Sequence, residues 1–139
     1  MPLLTRLFIR TSLIFFVFAL LVGVLLATQA LFDLPSFISA LTPVFFHAFM
    51  VGFVAQLIFG IVFWMFPKYS KEKPRGSELL AWLTYIFLNA GLALRLIVEP
   101  MQQTGLVARW KGLLVVSAVL QWLAGLFFVA NTWKRVKER

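Results

Sequence analysis

Four apolar runs, at roughly residues 11–32, 43–66, 78–99 and 112–133, constrain this chain more than any other feature. A helix needs about 20 mostly apolar residues to cross a bilayer core, and each run is that long. None alternates with period two. In lipid every backbone N–H and C=O must be satisfied inside the protein, which leaves α-helices as the form these runs take. The sequence therefore predicts an all-α polytopic membrane protein, a four-helix transmembrane bundle built as one domain over residues 1–139. Composition agrees, with 62% hydrophobic residues, 13% charged residues and a mean hydropathy of +0.95. That leaves too little polar surface for a soluble domain. With no cysteine, disulfides, iron–sulfur clusters, thiolate metal sites and c-type haem attachment are excluded.

The links between the runs are short. Asp33-Leu34-Pro35-Ser36 breaks the first, and Pro43 suits the first turn of the second helix. Pro67 ends that helix, Pro74 and Gly76 punctuate the next loop, Ser77-Glu78 starts the third helix, and Glu99-Pro100 is expected to close it. Such links make neighbours antiparallel, an up-down-up-down bundle. Ten of the thirteen lysines and arginines fall on one side: Arg6, Arg10, Lys68, Lys71, Lys73, Arg75, Lys134, Arg135, Lys137 and Arg139. Arg95, Arg109 and Lys111 fall on the other. The positive-inside rule then puts both termini in the cytoplasm, in a multi-pass protein of a bacterial-type inner membrane. The net charge of +8 is concentrated in loops and tails, so the expected counter-charge is anionic lipid headgroups and not nucleic acid. Ala27-Thr28-Gln29-Ala30 imitates a signal-peptidase site, but the apolar run continues through Leu31 and Phe32, and an uncleaved first span is the expectation.

Trp64, Tyr69, Trp82, Trp110 and Trp133 fall near span ends, where interfacial anchors belong, while Trp122 lies deeper and is expected to pack against a neighbour. One internal echo stands out. Gly52-x-x-x-Gln56-x-x-x-Gly60 in the second run parallels Ser117-x-x-x-Gln121-x-x-x-Gly125 in the fourth. Each spacing puts an amide between small residues on one helical face, where helices approach closely and amides bond across the contact. With Asn89 at a similar depth in the third run, Gln56, Asn89 and Gln121 are expected to tie the bundle together.

The residues able to carry chemistry gather at the other membrane face. His47, the only histidine, lies about one turn into the second run. Arg95 and Glu99, four apart on one face of the third run, are expected to pair. Arg109 and Lys111 stand at the mouth of the fourth. One reading is structural, an interfacial histidine bonded to a backbone carbonyl beside an Arg95–Glu99 pair. The other is haem b, with His47 as axial ligand to iron and Arg95, Arg109 or Lys111 at the propionates. Met50, on the same helix, cannot reach the opposite haem face. A sixth ligand would have to be Met101, another subunit, or His47 of a second copy; the alternative is a five-coordinate haem. Clusters suited to metal hydrolysis are missing.

The stretch from His47 to Tyr69, "HAFMVGFVAQLIFGIVFWMFPKY", with its Phe59-Gly60 and its Phe-Pro exit, resembles the second helix of the haem–copper oxidase catalytic subunits, including the cbb3 and nitric-oxide-reductase types. The likeness runs from His47 to Glu99. It implies a small relative that retains either the low-spin haem-ligand position, at His47 near the outer face, or only the scaffold around it. The further histidines of that superfamily have no counterpart here, so the chain is not an oxygen or nitric oxide reductase on its own. Three functions follow as expectations: a haem-b or electron-transfer protein, alone or as a homodimer; a non-catalytic small subunit of a respiratory or other membrane complex; or an oligomeric transporter or channel subunit, for which the spans carry few polar residues.

Overall fold

The structure, a computed structural model, describes residues 1–29, 31–32, 34–70, 74–103 and 111–136. Asp33, Lys71, Lys73, Arg109, Trp110, Lys137 and Arg139 lie outside them. Among the described residues there is no strand, and four helices are long and apolar enough to cross a membrane: Leu3–Thr28, Ser36–Met65, Glu78–Gln102 and Lys111–Arg135. These spans begin and end differently from the apolar runs. Span one starts at Leu3, just after Pro2 in extended conformation, and so includes Arg6 and Arg10. Both arginines are exposed, and long basic side chains reach polar surroundings from within a helix.

Helix α1 is Leu3–Thr28. Span two opens with a 3₁₀ turn, Ser36–Leu41, which Gln29 at the end of α1 holds through a 2.7 Å bond to Ser39. It continues as α2 (Thr42–His47, with Pro43 in its first turn), a π-helical segment Ala48–Ala55, and α3 (Gln56–Met65). Span three is α4 (Glu78–Gln103). The sequence expectation that Glu99-Pro100 closes this helix is wrong, because Pro100 lies inside it. A proline this near a helix end removes one backbone bond, to the carbonyl of Leu96, at a level where other partners can reach the freed oxygen. Span four is α5 (Lys111–Thr132), extended by a 3₁₀ turn at Trp133–Arg135.

Lipid tails are as apolar as leucine, so helix association here rests on close packing and interhelical hydrogen bonds. Gly52 and Gly60 let span two lie against α1. A Cβ on Gly52 would come 2.6 Å from Cγ of Phe15, and one on Gly60 would come 2.7 Å from Cβ of Phe8. Gly91 does the same for α4 against α5, 2.9 Å from the carbonyl oxygen of Ser117. Gly125 has nothing within 4 Å, so it is not a contact residue of the echo as expected. Aromatic pairs fill the seams. Phe8 meets Tyr85 edge-on at 5.0 Å, and Phe59 stacks on Phe128 at 3.9 Å. Each such pair is worth about 0.5–1.5 kcal/mol beyond its buried area. Leu4, Phe8, Phe63, Ala81, Leu88 and Ala124 form the buried cluster at the centre of these contacts.

Candidate functional site

His47 is the last residue of α2, and regular winding brings its ring back over its own helix, with Nδ1 2.8 Å from the Pro43 carbonyl. From α4, Arg95 and Glu99 reach the same ring from one helical face. Nη1 of Arg95 is 2.9 Å from Nε2, and Oε2 of Glu99 is 2.9 Å from Nδ1. The imidazole thus stands between the two residues expected to pair with each other. It is the one ion-pair contact among the described residues, and it counts as a pair only when the ring is protonated.

The partners fix the proton. A guanidinium can only donate, so Nε2 must accept from Arg95 and the ring hydrogen sits on Nδ1. That hydrogen is directed at Pro43. Glu99 Oε2, although close, is buried and accepts no hydrogen bond, and the directional bond to the carbonyl decides the geometry of the ring. Arg95 reaches onward to span four, where its Nε donates to Ser117 Oγ at 3.4 Å. Ser117 Oγ also accepts from Gln121 and donates to the Gly91 carbonyl at 2.7 Å. One hydroxyl has one hydrogen and two lone pairs, and all three are used. His47, Arg95 and Ser117 therefore join spans two, three and four at one level.

The deeper amides form a smaller layer than expected. Gln56 Nε2 donates to Asn89 Oδ1 at 3.3 Å, and Asn89 donates to its own helix at the Tyr85 carbonyl. Gln121 takes no part, because Ser117, one turn earlier on its own helix, captures its nitrogen. Lys111 is exposed at the first residue of α5, and Arg109 lies outside the described residues.

Haem tests the cluster. An Nδ1–H held by a carbonyl is the arrangement that orients ligating histidines. The only lone pair this leaves, on Nε2, is already covered by Arg95. Iron and guanidinium cannot share it, and Met50 is exposed on the outside of span two. As arranged, these residues do not fit an axial haem ligand. No group of three or more potential metal ligands occurs among the described residues.

At the opposite end of the bundle lie Arg135, which sequence reasoning counted only toward topology, and Asn131, which it did not single out. Arg135 is 1% exposed and donates to the carbonyls of Phe63, Phe66 and Pro67, the free C-terminal end of α3. Asn131 accepts the backbone N–H of Ser77 at 2.8 Å, just before α4. Gly76 precedes it with φ +78°, where a Cβ would run into Asn131 Oδ1. The tail of span four thus caps two other helices, an arrangement with no local sequence pattern to reveal it.

Comparison with protein-family models, curated proteins and solved structures returns no match.

Proposed function

We propose that the protein is a small multi-pass subunit of a larger membrane complex, without catalytic chemistry of its own, in which the His47–Arg95–Ser117 network is an interhelical lock. The observation that carries this reading is the outward face of span four. Only 11% of its apolar stretch is buried, the least of the four spans, against 33% for span three. Near its middle Trp122, expected to pack against a neighbour, is 63% exposed, so no neighbour within the described chain covers it. An indole at mid-span brings an N–H donor to a level where lipid offers no acceptor, and a protein neighbour can supply one. The likeness of span two to haem–copper oxidases makes a respiratory assembly the first candidate. The distribution of lysine and arginine supports up-down-up-down threading with both termini cytoplasmic.

The test is native electrophoresis after mild detergent extraction. A larger complex that dissociates in Trp122→Ala is expected. A lone, monodisperse protein of 15.9 kDa would refute the reading. Orientation is checked separately by Tyr69→Cys, a unique thiol in a cysteine-free chain, which should react only with reagents that reach the cytoplasm.

One observation favours a second reading, haem b bound through His47: the Nδ1–H···O=C bond leaves Nε2 as the sole lone pair of the ring. It requires Arg95 to vacate Nε2. A Soret band lost in His47→Ala would support it, and colourless folded protein would remove it.

A further inference from the structure

At the end of the bundle that carries Leu3 and Glu78, spans one, two and three border a cleft of about 240 Å³ whose lining includes Pro2, Leu4, Phe63, Arg75, Glu78 and Trp82. Its floor belongs to the packed centre of the fold, since Leu4 and Phe63 are members of the buried cluster. Two side chains of opposite charge stand in its wall. Arg75 lies in the link before α4, and Glu78 opens that helix. They do not pair with each other, because the one ion pair among the described residues is at His47. Trp82, one turn after Glu78 on the same helical face, adds an indole. Its ring meets that of Tyr85 edge-on at 6.3 Å, and Tyr85 is held in turn by Phe8 at 5.0 Å and by a 2.8 Å hydroxyl bond with Thr11. The indole is therefore fixed before any ligand arrives.

A cation, a carboxylate and an indole around one cleft match a ligand that carries both charges. We propose that this cleft binds the phosphoethanolamine headgroup of a membrane lipid, with the phosphate at Arg75 and the ammonium at Glu78. The guanidinium fork matches phosphate oxygens, and a primary ammonium donates charge-assisted hydrogen bonds to a carboxylate. The two carbons of ethanolamine keep its charges apart, as Arg75 and Glu78 are kept apart. Trp82 offers the same ammonium a π face. A choline headgroup has no N–H to give Glu78, and a lone indole is not the aromatic cage that holds quaternary ammonium. A glycerol headgroup would bring Glu78 hydroxyls but no positive charge. The apolar walls from Pro2, Leu4 and Phe63 favour a lipid over the free headgroup, at the level where span ends meet headgroups. The site shares no residue with the His47 network and does not depend on partner subunits.

Full-length protein in mild detergent is titrated with phosphatidylethanolamine, phosphatidylglycerol, phosphatidylcholine and soluble glycerophosphoethanolamine, and native mass spectrometry reads what stays bound. Phosphatidylethanolamine should bind about tenfold tighter than either other lipid, the difference expected for one charge-assisted contact. Glu78→Gln should abolish that preference and leave phosphatidylethanolamine and phosphatidylglycerol alike. Glu78 also suits the positive end of the α4 dipole, but loss of that role alone would lower stability without changing the order of the lipids. Arg75→Gln, outside any helix, should weaken both lipids about tenfold through the phosphate they share. Lys134→Gln, a cation at the same end that lines a different cleft, should change binding by less than about twofold, as an exposed charge does. Wild-type protein that does not prefer phosphatidylethanolamine would overturn the inference, as would a preference that survives Glu78→Gln. So would equal weakening by Lys134→Gln, because the attraction would then be diffuse. Equal affinity for glycerophosphoethanolamine would overturn the lipid as the source and assign the cleft to the soluble headgroup.

Discussion

Replacing Gly52 with alanine adds one methyl group at the tightest point between α1 and span two. The new Cβ would meet Phe15 Cγ at 2.6 Å, Phe15 Cβ at 2.8 Å and Leu92 Cδ2 at 3.0 Å, whereas ordinary contact begins at 3.4 Å. Turning the Phe15 ring relieves the first clash but not the second, since Phe15 Cβ moves only with its backbone. The helices must therefore separate, by about 0.6 Å at the Phe15 Cβ contact. In lipid that gap forfeits packing, the main force holding these helices together. Overpacking of this kind costs about 1–3 kcal/mol. Gly125→Ala is the matched control, because nothing lies within 4 Å of its Cβ; its expected change is below about 0.5 kcal/mol. Unfolding both variants with sodium dodecyl sulfate in mixed micelles, followed by helical circular dichroism, measures the difference. Equal stability of the two proteins would refute the packing argument, as would an equal loss in both.

Asn131→Ala should cost about 1 kcal/mol through the lost cap at Ser77, while Asn131→Asp keeps the acceptor oxygen and most of the stability; the same titration separates them. Arg135→Met removes the guanidinium donors to the end of α3 and should cost about 1.5–3 kcal/mol, with faster exchange of the hydrogen-bonded Phe66 and Tyr69 amides as the local readout. Ser117→Ala strips a hydroxyl with three partners and should cost about 1–2 kcal/mol. Gln56→Leu, which loses one long bond and also removes a buried oxygen that has no partner, should stay within about 0.6 kcal/mol of the wild type.

The four spans were legible because hydropathy over about 20 residues is a strong signal that survives errors of several positions at each end. The helical phase within them was not. Gly52 and Gly60, eight apart, both face α1, whereas Ser117 and Gly125, also eight apart, do not share a face. In a regular α-helix eight residues overshoot two turns by about 80°. Ala124, seven from Ser117, is accordingly the buried one. The π-helical segment Ala48–Ala55 winds more slowly and brings Gly52 back into line with Gly60. Nothing in the hydropathy of that segment announces it. At the candidate site the gathering of His47, Arg95 and Glu99 could be read from depth alone. The insertion of the ring between guanidinium and carboxylate could not, since it depends on side-chain lengths meeting across two helices. The caps from Asn131 and Arg135 were hidden for the same reason: their partners lie 54 to 72 positions away in the chain.

That separation has a consequence for biogenesis. The turn between Met65 and Glu78 leaves the ribosome with its helix ends open, and the residues that close them are translated 54 to 72 positions later. At about 5–20 residues per second, the interval is on the order of 3–14 s. During it the nascent hairpin of spans two and three must wait in the membrane with bare carbonyls, which makes those seconds the period in which an insertase or a lipid headgroup has most to offer this protein.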